Sequence, residues 1–346
     1  MLRNTVLVHD VLGCPAAIEG KPVRRRDFIT LVGGGAAVAW PFAALAQEPG
    51  RTYRLGGMSP APREAPLNMA YLDELRRGGF IEGQNLAVEY RSYGENVDLI
   101  QRYATELIMA RVDVIAVAGD EAARAVQKAT KTIPIVALVG DMMESGLVTS
   151  LARPEGNITG VSILAFEVDG KRQDILIEAV PGLRLMAVLT DVNFTSTAKL
   201  DALQEAARAH GIEFSIHRVA RAEEIAPAID SAQASGATAL NLLASPLFFA
   251  NRYIIMEHAA AAHLPTIYEV PETAEEGGFA GYGPRLSALN QITARQAVQL
   301  LRGIKVADIP VQQATNFELV INLKTAKAMG VTVPEALLAR ADKVIE

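Results

Sequence analysis

The chain has almost no cysteine, tryptophan or histidine. Its single cysteine, Cys14, excludes a disulfide framework and any cysteine-based metal site. Trp40 is the one tryptophan, and both residues lie ahead of Ala46. Beyond that point only His210, His217, His258 and His263 remain. His258 and His263 stand roughly 140° apart around a helix, so they share no face on which to hold a metal. Also missing are an H-E-x-x-H pair, a G-x-S-x-G elbow, a P-loop and a G-x-G-x-x-G turn after a strand. These absences leave no signature of a metal, nucleotide or acyl-transfer enzyme, and no cofactor is implied. The body carries no basic block and the formal net charge is −6, which argues against a nucleic-acid partner.

What is present is an ordinary globular composition. Of 346 residues, 50% are apolar and 21% charged, enough for two lobes with their own cores. The N-terminal stretch 24–47 reads RRRDFITLVGGGAAVAWPFAALAQ. Arg25, Arg26 and Phe28 match the twin-arginine export pattern, and a weakly apolar, Gly- and Ala-rich run follows. Ala44 and Ala46 supply the small-x-small residues of a cleavage site. Gly33-Gly34-Gly35 and Pro41 interrupt the run and argue against a membrane anchor. Residues 1–46 are therefore expected to be a removable export signal, and the mature protein to be periplasmic.

The body is organised around residues 113–162. Residues 114–118 and 133–139 are short apolar runs, each ending in a Gly-Asp pair (Gly119-Asp120 and Gly140-Asp141) and each followed by a helical pattern. After Asp141 that pattern is carried by Leu147, Val148 and Leu151. Such runs, alternating with helices, indicate parallel strands buried on both faces. The same alternation is expected from residue 53 onward and restarts after residue 163, giving two doubly wound α/β units of similar size. In open parallel sheets, ligands bind at the carboxyl edge of the strands.

Four stretches resemble the periplasmic substrate-binding proteins of one ABC-importer family: RRRDFITLVGG, TIPIVALVGDMMESGLVTSLARPEGNITGVS, SPLFFANR and NFELVINLKTAKAMGVTVPEALLARADKVIE. The resemblance spans essentially the whole mature chain. It implies the type I periplasmic-binding-protein fold, two parallel-sheet lobes joined by three crossovers with a ligand cleft between them. The crossovers are expected near Ile163, Phe279 and Pro310, which assigns 51–163 plus 279–311 to lobe 1 and 164–278 plus 312–346 to lobe 2. It further implies a membrane permease and an ATPase as partners, and that some relatives bind aromatic amino acids. A monomer is expected. The alternative within the same fold is a sensor subunit that presents its ligand to a membrane receptor; an enzyme on a doubly wound fold is the alternative of another class.

Candidate ligand contacts follow from position. Ser59, Asp120, Asp141, Asn193, Phe194, Ser245, Tyr268, Glu269 and Tyr282 all follow or end strands at expected cleft edges. For Asp120 and Asp141 the competing role is capping of a helix start. Asp191, Glu269 and Glu272 add negative charge, and only Arg252 and Arg285 lie near the expected rim to offset it. This balance favours a cationic, zwitterionic or neutral polar ligand over a dicarboxylate.

Overall fold

The computed structural model describes residues 50–94 and 96–346. The export signal expected at Arg25, Arg26, Phe28, Ala44 and Ala46 lies outside the described residues. Among them, no helix is long and apolar enough to cross a membrane.

The first unit alternates β1 (Tyr53–Ser59), α1 (Pro66–Arg77), β2 (Leu86–Ser92), α2 (Asp98–Met109), β3 (Val114–Ala118), α3 (Asp120–Ala129), β4 (Ile135–Val139) and β5 (Ile158–Ser162). The second comprises α4 (Asp169–Ala179), β6 (Leu185–Asp191), α5 (Thr197–Ala209), β7 (Glu213–Val219), α6 (Ile225–Ala234) and β8 (Ala239–Leu242). It continues through α7 (Pro246–Ala250), α8 (Arg252–Ala261), β9 (Thr266–Tyr268), α9 (Pro271–Glu275) and β10 (Ala280–Gly283). The chain ends with α10 (Leu286–Leu301), β11 (Gln312–Gln313), β12 (Glu318–Asn322), α11 (Leu323–Ala328), α12 (Glu335–Leu338) and β13 (Lys343–Ile345).

The strands form two sheets, ordered β11-β5-β4-β3-β1-β2 and β13-β12-β10-β9-β8-β6-β7. All pairs are parallel except β10 with β12. The inner orders 5-4-3-1-2 and 10-9-8-6-7 are the same winding used twice. Each therefore reverses direction at one place, between β1 and β3 and between β6 and β8, and that switch point is where doubly wound sheets hold ligands. The physical basis is plain in β4, whose five residues IVALV are all buried. Helices cover both of its faces, and each fully buried Val, Leu or Ile contributes about 1.5–3 kcal/mol. The edge strands β2 and β7 instead carry Glu89, Arg91, Glu213 and Arg218, charges that discourage pairing with another chain.

Strand pairing moves two expected boundaries. Residues 280–283, assigned by the sequence to lobe 1, form β10 and pair with β9 and β12 in the second sheet. The chain then returns, because α10 buries Ala294, Ala297, Val298 and Leu301 with Tyr53, Leu55, Val114 and Val136 of the first sheet. Residues 312–313, assigned to lobe 2, pair with β5 in the first sheet. Both passages thus fall a few residues later than expected, since a strand stays with its sheet until its last paired residue.

Three local departures have identifiable causes. The helical pattern after Asp141 forms no helix: Asp141 Oδ1 accepts the amides of Met143 (2.6 Å) and Glu144 (3.1 Å), and Gly146 closes the turn at φ +68°. The apolar stretch 246–261, whose spacing reads as one helix from residue 248, breaks into α7 and α8 at Asn251, whose Nδ2 donates to the Leu247 carbonyl at 2.9 Å. The terminal strand β13 was not anticipated; it adds to the edge of β12.

Candidate ligand-binding site

At the first sheet's carboxyl edge, β1 ends in Ser59, whose Oγ accepts the Ala61 amide at 3.2 Å. Strand β3 ends at Ala118, and the Tyr93 hydroxyl donates to its carbonyl at 2.9 Å. Gly119 then turns the chain into α3 with φ +98°, and a Cβ there would lie 2.5 Å from the Tyr93 hydroxyl. Only glycine meets both demands. This turn makes Asp120 the first residue of α3. Its Oδ2 crosses to the end of β4 and accepts the Gly140 amide at 3.1 Å. Burial pushes the Asp120 carboxyl up from the ordinary aspartate range; the Gly140 amide and Arg124 oppose this, and Asp141 adds to it. Asp141 itself is engaged in its turn. Asp141 thus closes a turn that does not continue into a helix, whereas Asp120 opens a helix and also bonds across to β4.

The second edge is cross-linked from within. Asp191 ends β6, and its Oδ1 accepts the Asn193 amide at 2.9 Å while Oδ2 accepts the Ser245 hydroxyl at 2.6 Å. Ser245 Oγ accepts the Leu247 amide (3.1 Å), and the Ser245 amide donates to Glu269 Oε2 (3.1 Å). The ends of β6, β8 and β9 are thus tied in one chain of bonds. Beneath them lies Arg172, fully buried, which donates to Asp169, to the Ala165 carbonyl (2.8 Å) and to the Tyr282 carbonyl (3.2 Å). Asp169 Oδ1 also accepts the Ala244 amide at 3.1 Å, and Lys199 Nζ lies 2.6 Å from Oδ2. Burial pushes Glu269 up to about 7; Arg172 opposes the shift and Asp169 adds to it. Ser245 and Glu269 therefore lock strand ends together.

Three other expected contacts are placed as follows. Tyr268 is only 2% exposed and packs in the core between the second sheet and helices α6 and α8, so it forms no part of an open edge. The alternation of β9 turns it to that face. The Tyr282 ring stacks on Phe317 with centroids 6.3 Å apart. Asn193 is exposed, and its side-chain amide reaches the Ala220 carbonyl at 3.5 Å. The rim arginines are both paired, Arg252 with Glu276 and Arg285 with Glu275 and Glu318.

The two edges meet at a residue the sequence did not single out. Phe166 lies in the short 3-10 turn between β5 and α4 (Ala165–Val168), and its ring approaches to 2.7 Å of where a Gly140 Cβ would be. Its other neighbour is Phe194, 41% exposed, with rings parallel within 7° and centroids 6.2 Å apart. Lys199 Nζ donates to the Phe166 carbonyl at 2.7 Å and sits 5.6 Å from its ring centre. An aromatic pair is thus flanked by a carboxylate from lobe 1 and an ammonium from lobe 2. The missed residues had one signal: Asp169, Arg172 and Gln173 occupy the buried face of α4, beside Ile175, Leu176 and Ala179. Charged residues on an apolar face mark a site or a structural ion pair. Among the described residues no group of three or more His, Cys, Asp or Glu is placed to hold a metal ion.

Comparison with known proteins agrees with this architecture. The profile of the family described as ABC transporter substrate binding protein matches residues 69–345. A tyrosine-binding protein of Clostridioides difficile (strain R20291) is 25% identical over 264 residues, 75% of either chain. Among solved structures, a conserved domain protein from Vibrio cholerae is 26% identical with a TM-score of 0.74, covering 85% of this chain and 100% of that one. An ABC domain from Streptococcus pneumonia, solved in complex with L-Trp, has the same fold (20% identity, TM-score 0.72, 85% and 100% covered). The chain belongs to the ABC transporter substrate-binding protein family, whose members bind their substrates and do not transform them.

Proposed function

We propose that the protein, exported to the periplasm as a monomer, captures a zwitterionic amino acid between its lobes and delivers it to a membrane permease driven by an ATPase. The observation that carries this reading is the placement of Asp120 and Lys199 on either side of the Phe166–Phe194 pair, where the carboxyl edges of the two sheets meet. A carboxylate suits an ammonium, an ammonium suits a carboxylate, and a ring between them suits an apolar side chain. The name of the tyrosine-binding relative and the L-Trp complex of the structural neighbour point to aromatic amino acids in particular. Arg252 and Arg285 are fully paired and Lys199 is shared with Asp169, so a dicarboxylate would find few free cations. Hinge-like passages at element ends allow the lobes to close on the ligand.

Calorimetry of the mature chain with L-tyrosine, L-tryptophan, L-phenylalanine, succinate and putrescine tests the ligand class. Binding of the zwitterions, weakened in Asp120→Asn, is the expected result. Binding of succinate alone, undiminished in Asp120→Asn, sinks the reading. Delivery is checked separately: a deletion strain should lose uptake of the labelled amino acid that the protein binds.

A further inference from the structure

The first passage between the lobes, from the end of β5 into α4, is bonded to a different lobe on each side of one residue. Ahead of it, the Ile163 and Leu164 amides donate to the Val139 and Gly140 carbonyls of the first lobe, at 2.9 and 3.0 Å. Beyond it, the Leu164 carbonyl accepts the Glu167 amide (3.2 Å) in the turn that opens α4. The Ala165 carbonyl accepts from the buried Arg172 (2.8 Å) and the Phe166 carbonyl from Lys199 (2.7 Å), both in the second lobe. Leu164 thus has its N–H bonded into the first lobe and its C=O into the second. Rotation about its own φ and ψ turns one set of bonds against the other and breaks neither.

The backbone of Leu164 is unusual as well. It sits at φ +56° and ψ +25°, the left-handed region that a bulky side chain rarely enters. Among the described residues two other non-glycine residues have positive φ, Arg111 and His263, and both follow the last turn of a helix, where that conformation is ordinary. Leu164 ends no helix. Backbone strain of this kind persists only where bonds on both sides enforce it, and it collects at segments that switch between arrangements.

The first-lobe anchor of Leu164 leads to the candidate site. The Gly140 carbonyl holds the Leu164 amide, and the Gly140 amide donates to Asp120 Oδ2 at 3.1 Å. One residue therefore separates the carboxylate from Leu164, and it is a glycine over which the Phe166 ring lies too close for a Cβ.

We infer that Leu164 is the pivot of this passage and that Asp120 sets its position through Gly140, which couples occupancy of the ligand site to the angle between the lobes. The coupling rests on the role proposed above for Asp120 as a ligand contact; the pivot does not. A ligand ammonium that draws on Asp120 shifts the Gly140 peptide, and with it the carbonyl to which Leu164 is tied.

Spin labels at Met109→Cys and Asp201→Cys, exposed positions on separate lobes, report the interlobe distance in a Cys14→Ser background that leaves no other thiol. Without added ligand, Leu164→Gly should broaden the distance distribution, because glycine moves freely into and out of the left-handed region. Leu164→Ala trims the side chain but keeps a Cβ, and should leave the distribution as in the wild type. Glycine and alanine variants with the same distribution overturn the pivot. If either lacks a cooperative melt, Leu164→Asn replaces the glycine variant and Leu164→Thr the alanine variant, since asparagine accepts the left-handed region and a β-branched residue resists it. In Asp120→Ala the Leu164 amide should exchange with solvent deuterium about fivefold faster, as loss of one ordinary hydrogen bond produces. An unchanged rate overturns the coupling. L-Tyrosine and L-tryptophan should each shift the wild-type distance. A distance that neither amino acid moves, with Leu164→Gly still broadened, keeps the pivot and removes the amino-acid reading.

Discussion

The two sheets share one winding order, yet their carboxyl edges are built in opposite ways. In the first lobe the edge is less tied: Asp120 crosses to the Gly140 amide alone, and behind it the Tyr71 hydroxyl has no partner. In the second the strand ends are laced together by Asp191, Ser245 and Glu269, with Asp169, Arg172 and Lys199 beneath. A buried ionic network is rarely a net gain over apolar packing, but it fixes geometry. Under the function proposed above, one lobe would leave room for the ligand and the other present a rigid face to close upon.

The comparison breaks most visibly at Arg172. Replacing it with methionine leaves the buried Asp169 with only Lys199 and the Ala244 amide and frees the Ala165 and Tyr282 carbonyls, so Arg172→Met should lose about 3 kcal/mol in urea unfolding. Loss of less than about 1 kcal/mol would show that the second edge is not held by this ion pair.

Ligand affinity comes next. Asp120→Asn should weaken a zwitterionic amino acid by about 2 kcal/mol, a typical loss for a charge-assisted hydrogen bond, while leaving the melting temperature nearly unchanged. Burial raises the Asp120 carboxyl, so the wild type should also lose affinity as pH falls from neutral, earlier than an ordinary aspartate would. Calorimetry across a pH series checks both effects.

Glu269 sharpens the contrast through pH. In the folded protein it keeps its proton up to about 7, whereas the unfolded chain releases it near the ordinary glutamate value of 4.5. Its stabilising contribution is therefore complete below about 4.5 and lost as pH rises to about 7. Glu269→Gln should flatten that part of the stability profile, measured by thermal melts; an unchanged slope would mean that Glu269 stays ionised.

Phe194→Ala should have the smallest effect. Half-exposed stacking partners contribute about 1 kcal/mol, so affinity for an aromatic amino acid should fall roughly fivefold with no change in stability. An unaltered dissociation constant would remove Phe194 from the site.

Much of the architecture was legible in the residue pattern. Helix α1 starts at Pro66 and is stopped by Gly78-Gly79, and α10 runs the full Leu286–Leu301 pattern; both lie where the spacing places them. The strands at 114–118 and 185–190 followed from short apolar runs bounded by glycine, proline or acid, the second running one residue further, to Asp191. Patterns failed where a single side chain intervened, as Asp141 did in its turn and Asn251 did between α7 and α8. Among candidate contacts, Asp120 and Phe194 lie at the sheet edges, but position after a strand could not separate them from Tyr268, which β9 turns into the core.

The sequence by itself determined the doubly wound class, the repetition of the unit and the sheet edge at which to look, because strand and helix periods are local properties. Only the tertiary structure decided which side chains at that edge face one another. Phe166 comes to lie over Gly140, Arg172 reaches the Tyr282 carbonyl 110 positions away, and the Tyr90 ring covers Gly57. Those relations depend on how far each crossover carries the chain, and no local pattern encodes that distance.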